Sequence, residues 1–159
     1  MVKRKTLLVW GLWTGRLAVS GATLGWMGFI FYLSSLSQAE ASQPLESPVV
    51  SWLGVLRSYA AHIVLYGVLA ALAQESIWGW KPDYRFRWVL AATIFAAVYG
   101  ISDEYHQSLV GLSGSIADAA VNTIGASGAA TSLWMIRSWL RSPTRRIRRL
   151  LRYPRTGNR

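Results

Sequence analysis

Apolar residues run in four long blocks separated by short polar stretches, rather than alternating or marking one face of each segment. A helix needs about 20 mainly apolar residues to cross some 30 Å of hydrocarbon. Residues 17–36, 58–78 and 116–136 meet that length, and 88–103 does so by continuing as helix toward Gln107. The pattern predicts an all-α integral membrane bundle of four transmembrane helices. Residues 7–15 are apolar as well, but a helix running through them would be too long to cross upright. That stretch is expected at the membrane interface or in a tilted helix, with Arg16 reaching outward along its aliphatic stem. A secretory signal is the competing reading, because Lys3, Arg4 and Lys5 precede the run and Ala39-Glu40-Ala41 resembles a cleavage site. The run continues to Leu36, beyond the roughly 7–15 residues of a signal's apolar core, which favours an uncleaved first helix.

Charge orients the bundle. The chain has 17 Lys and Arg against 7 Asp and Glu, a formal net charge of +10. With four spans, Lys3, Arg4, Lys5, Arg16, Lys81, Arg85, Arg87 and every arginine from Arg137 onward fall on one side, and only Arg57 on the other. Cytoplasmic loops collect Lys and Arg, so both termini are expected in the cytoplasm. Trp10, Trp13, Trp78, Trp80, Trp88, Trp134 and Trp139 lie near the cytoplasmic boundaries, where amphipathic rings concentrate. Three parts follow: a basic interfacial segment (1–16), the four-helix domain (17–140) and an Arg-rich tail (141–159). Pro143 is expected to break the last helix. Beyond it, Arg145, Arg146, Arg148, Arg149 and Arg152 alternate with Ile147, Leu150 and Leu151 at helical spacing. This predicts an amphipathic helix on the cytoplasmic leaflet, each basic residue contributing about 1 kcal/mol against anionic headgroups. Docking on a larger membrane complex is the tail's alternative role. Nucleic acid is not an expected partner, since no recognition fold accompanies the basic residues.

Small residues at helical spacing, Gly21 with Gly25 and Gly125 with Ala129, Gly128 and Ser132, predict close helix packing within the bundle, a dimer face being the alternative. Polar residues then gather at one depth. In the third span Asp103 shares a helical face with Tyr99, His106 and Gln107, next to Glu104. The fourth span opens with Asp118 and carries Asn122 one turn deeper; His62 lies about one turn inside the second, between Tyr59 and Tyr66. The second and fourth spans enter where the third leaves, so all these groups meet near the outer face.

Ionisable groups inside a membrane mark cavities or partners. Three chemistries fit this layer. The groups can satisfy one another and fix helix register; they can form a catalytic or ligand-binding site without metal; or they can bind a metal. As a catalytic set, His62 and His106 would shuttle protons and Asp103 or Glu104 would activate water, with Tyr66, Gln107, Asp118 and Asn122 holding a ligand. A His-x-Glu-x-x-His zinc spacing, a nucleophile elbow, a P-loop and a dinucleotide fingerprint are all absent, so no cofactor is implied.

Asp103-Glu104-Tyr105-His106-Gln107, followed by Gly114-Ser115, Asp118, Asn122 and Gly125, resembles the hallmark of the VanZ-like membrane family. His62 with Tyr66 matches that family's His and Tyr on the second helix, and Leu33-Ser34-Ser35 fits the end of the first; the likeness spans residues 17–136. It departs in two places. Ala61 stands where the family often has Lys, and Val110-Gly111-Leu112 replaces the usual Pro-Gly-Arg turn. The missing Arg removes the group best suited to phosphate. The resemblance therefore implies a fold in a prokaryotic-type membrane and a binding or accessory role on an envelope or lipid-linked ligand. The alternative it implies is a hydrolase- or transferase-type enzyme on envelope substrates, the namesake being associated with glycopeptide resistance.

Overall fold

The computed structural model describes residues 2–35, 51–83, 85–109 and 115–151, with side chains for 11–35, 56, 58–83, 85–109 and 115–141. Among the described residues every regular element is a helix: α1 (Val2–Ser34), α2 (Ser51–Trp80), α3 (Phe86–Leu109) and α4 (Ile116–Leu151). Three are long and apolar enough to cross a membrane, through Gly11–Ser34, Ser58–Trp80 and Phe86–Leu109. The outer end of the first expected span, at Leu36, and residues 110–114 lie outside the described residues.

Burial is arranged as lipid solvent demands. Large apolar side chains point outward, among them Leu24, Phe31, Val98, Ile101 and Ile124. The interior combines a few large side chains, Ile30, Tyr66, Leu69 and Trp78, with many small and polar ones, including Ala70, Ala92, Ala96, Ala126, Ala130, Gln74 and Asn122. Hydrocarbon offers no hydrophobic drive for helices to associate, so contact comes from close approach of backbones and from polar pairs. α2 is the centre, packing on α1, α3 and α4, while α1 leans chiefly on α2.

Glycine sets the α2–α4 distance. A Cβ on Gly125 would stand 2.6 Å from the Ile63 carbonyl oxygen, and one on Gly67 would stand 3.3 Å from the Ala129 methyl. The expected packing role of Gly125 and Ala129 is thus realised inside the chain. Gly21 and Gly25 behave differently, since nothing lies within 4 Å of a Cβ built on either. That pair faces outward and packs on no described residue of this chain.

α1 is one unbroken helix of 33 residues, about 50 Å at 1.5 Å per residue, so residues 7–15 extend the first span rather than folding away from it. Two indole and phenol bonds seat it: Trp26 Nε1 donates to the Leu65 carbonyl at 2.9 Å and Tyr99 Oη to the Met27 carbonyl at 2.7 Å. The expectation of a helix break at Pro143 is corrected, because α4 continues through it to Leu151. A proline deletes one i→i−4 bond and crowds the preceding turn, which kinks a helix without having to end it. The side chains of Arg145, Arg146, Arg148 and Arg149, and Arg152 altogether, lie outside the described residues.

The end of the bundle opposite the polar layer is a belt of aromatic and charged groups. The Arg16 guanidinium sits 5.7 Å from the Trp13 ring and 5.5 Å from the Trp80 ring, and Ser20 meets Ser76 at 2.7 Å. Arg137 pairs with Glu75 and lies 5.9 Å from the Trp78 ring. Asp83, in the α2–α3 turn, accepts from Trp88 Nε1 and, at 2.9 Å, from Arg87 Nη2, with Arg85 Nε at 3.1 Å. The indole bond first, then the two guanidinium groups, hold its carboxyl below the usual carboxylate range. A lowered folded-state value adds stability above the ordinary range and loses it as pH falls through the lowered value. Asp83→Asn should therefore flatten the acid side of the stability–pH profile, measured by thermal unfolding in detergent; an unchanged acid limb refutes this.

Candidate functional site

At the other end α2, α3 and α4 converge on Glu104. Asn122, one turn beyond Asp118 in α4, is wholly buried, and its Nδ2 donates to Glu104 Oε1 at 3.1 Å. The amide oxygen must then accept, so the 2.8 Å contact between His62 Nδ1 and Asn122 Oδ1 makes Nδ1 the protonated nitrogen of His62. That same nitrogen lies 3.8 Å from Glu104 Oε1. Gly100 gives Asn122 its room, for a Cβ there would stand 3.2 Å from both Asn122 Cβ and Nδ2.

The second carboxylate oxygen of Glu104 holds the start of α4. Ser115 N donates to Glu104 Oε2 at 3.2 Å, while Ser115 Oγ accepts from Asp118 N at 3.0 Å and donates to Asp118 Oδ2 at 2.5 Å. Ser-x-x-Asp is a helix N-cap, in which the third helical residue ordinarily reaches back to the cap's own N–H. Here Glu104, from α3, takes over that last duty. Glu104 thus ties two helices while capping one of them.

Asp103 forms a neighbouring centre. Its Oδ2 accepts from Tyr66 Oη at 2.8 Å and from Gln107 Nε2 at 3.0 Å. The Tyr66 ring is fully buried and runs parallel to the His62 imidazole, with centroids 6.3 Å apart. Asp103 Oδ1, although buried, has no hydrogen-bond partner among the described residues. His106 stands apart from both centres: its ring packs 4.5 Å from Phe31 of α1, and its buried Nδ1 likewise has no hydrogen-bond partner among the described residues.

The anticipated cluster therefore divides. His62, Glu104, Asn122 and Asp118 join one network through Ser115; Tyr66, Asp103 and Gln107 form a second; His106 faces α1. Among the described residues no three His, Asp or Glu side chains converge as a metal-holding group. Ser115 was readable as a cap from Ser-x-x-Asp ahead of an apolar run, yet its bond to Glu104 depends on tertiary placement. Gln74, wholly buried with both amide atoms lacking partners among the described residues, and the Glu75–Arg137 pair carried no sequence signal beyond their level in antiparallel helices.

Two recesses border this end of the bundle. An apolar groove of about 550 Å³ runs between α2 and α4 along Ile63, Gly67, Ala71, Ile124 and Gly128. A cleft of about 450 Å³ opens between α3 and α4, and Glu104 is one of its walls. Compared with known proteins, the chain matches no family model, no curated sequence and no solved structure.

Proposed function

We propose that the chain is a VanZ-like, multi-pass protein of a prokaryotic-type membrane with a binding or accessory role, its polar layer near the outer face and both termini cytoplasmic. One observation carries this reading: Glu104 takes hydrogen bonds from Asn122 and Ser115, stands beside His62, and also borders an open cleft. Such a layer braces three helices and presents a carboxylate to an envelope or lipid-linked ligand. α4 is the fourth span in this reading. Its run of Ala, Gly, Ser and Thr lowers its hydropathy, but those residues are the ones that let it press against α2. The family likeness draws support from contact, since residues that carry it, His62, Tyr66, Asp103, Glu104, Gln107, Asp118 and Asn122, bond within the two networks. The tail adheres to anionic headgroups and helps the protein join a larger membrane complex.

A second reading, a hydrolase- or transferase-type enzyme on envelope substrates, is favoured by two buried atoms of this layer, Asp103 Oδ1 and His106 Nδ1, that lack partners among the described residues. Asp103 Oδ1 would serve as general base and His106 would carry the proton. Reporter fusions at Ser47 and Leu112 should both report the outer side and those at Asp83 and Arg159 the cytoplasm; a split between Ser47 and Leu112 sinks both readings. His106→Ala then separates them, leaving protein levels intact and abolishing turnover of envelope precursors only in the enzyme. Truncation after Ser142 should reduce recovery in a larger complex under the accessory role and leave the isolated bundle's stability unchanged.

A further inference from the structure

We propose that the α3–α4 cleft takes an amphiphile with an ammonium head, admitted sideways from the bilayer to Glu104; this rests on the binding role above and names its ligand. The cleft is mainly apolar with a polar margin. Ile101, Tyr105, Ile116 and Ala119 supply a flank for a hydrocarbon chain, and Glu104, only 7% exposed, stands with Ser108 and Ser115 at the margin for its head. Ile116, at the mouth, is 91% exposed, so the flank is open toward the side of the bundle.

Charge selects the head. A carboxylate offers about four acceptor sites. Glu104 uses one on each oxygen, for Asn122 and Ser115, leaving capacity for a further donor. Asp103, Glu104 and Asp118 lie in this layer, whereas every Lys and Arg with a described side chain, Arg16, Lys81, Arg85, Arg87, Arg137 and Arg141, lies toward the other end. A phosphate head would meet these carboxylates, and the one basic residue the charge pattern puts on this side, Arg57, lies outside the residues with described side chains. An ammonium head gains charge-assisted hydrogen bonds, about twice as strong as neutral ones.

The chain has no cysteine, so one thiol can report on the cleft. Ser108→Cys places it on the wall, where the native hydroxyl bonds the Tyr105 carbonyl of its own helix. Ser102→Cys, nearly two turns away on α3 and off the cleft, is the control. With full-length protein in phosphatidylcholine nanodiscs, dodecylammonium should slow maleimide labelling of Ser108→Cys about tenfold relative to the control, and dodecyl phosphate and dodecyl glucoside less than about twofold. Adding Glu104→Gln should remove the protection, with unchanged gel-filtration volume certifying the fold. If Ser108→Cys fails to fold, Ala119→Cys reports from the opposite wall. Equal or greater protection by the phosphate or the glucoside overturns the ammonium assignment alone. No protection by any of the three overturns the binding role as well.

Discussion

Replacing Gly125 with alanine is expected to drive α2 and α4 apart. The new methyl would lie 2.6 Å from the Ile63 carbonyl oxygen and 2.7 Å from its Cα, both backbone atoms that no rotamer change can move. Overpacking a tight contact typically costs 1–3 kcal/mol, and a backbone clash belongs at the upper end, about 3 kcal/mol. The same shift pulls Asn122, one turn earlier, away from His62. Gly128→Ala in α4 and Gly21→Ala in α1 meet nothing within 4 Å and should stay within about 0.5 kcal/mol of the parent. Unfolding in mixed detergent micelles measures all three. A Gly125→Ala protein as stable as Gly128→Ala would mean that the two helices do not touch there.

The second large effect is expected at Asn122. Polar contacts between membrane helices average only about 0.6 kcal/mol in double-mutant cycles, because the separated helices find other partners. Asn122 should exceed that average for a specific reason. It is wholly buried and satisfies two groups at once, His62 through its oxygen and Glu104 through its nitrogen. Asn122→Ala strands an imidazole N–H and a carboxylate oxygen in the interior, and an unsatisfied buried group costs roughly 1–3 kcal/mol, more when charged. A loss of about 2–4 kcal/mol follows, with His62→Ala costing less because Glu104 keeps its other donors. A cycle of the two substitutions should give coupling of about 1 kcal/mol or more. Additivity within 0.3 kcal/mol would dissolve the proposed bridge.

Much of this was legible before any coordinates. Four helices follow from run lengths, and the start of α4 at Ile116 coincides with the expected one because Ser115 and Asp118 form a local cap. Levels along antiparallel helices were legible too, which is why His62, Glu104 and Asn122 could be placed together. Azimuth was not. Depth in a bundle comes from counting residues, whereas the direction a side chain takes around its helix depends on which neighbour lies there. His106 shows the difference: it shares Asp103's level but turns to Phe31 of α1. Gly21 and Gly25 repeat the lesson, since a GxxxG pair states that close approach is allowed and not which helix will use it. Pro143 marks a different limit, for a proline weakens a helix locally and the flanking turns decide whether it ends.

The arrangement around Glu104 also has a consequence for how the chain is made. Ribosomes deliver His62 first and Glu104 next, and the amide that joins them emerges only with Asn122. Until then the growing chain carries an imidazole and a carboxylate without their shared partner, and a product stopped after α3 keeps them so. Completion of the last helix is therefore the step that ends this vulnerability, and quality-control proteases that recognise unpaired polar groups in apolar surroundings would read its absence as a signal to destroy.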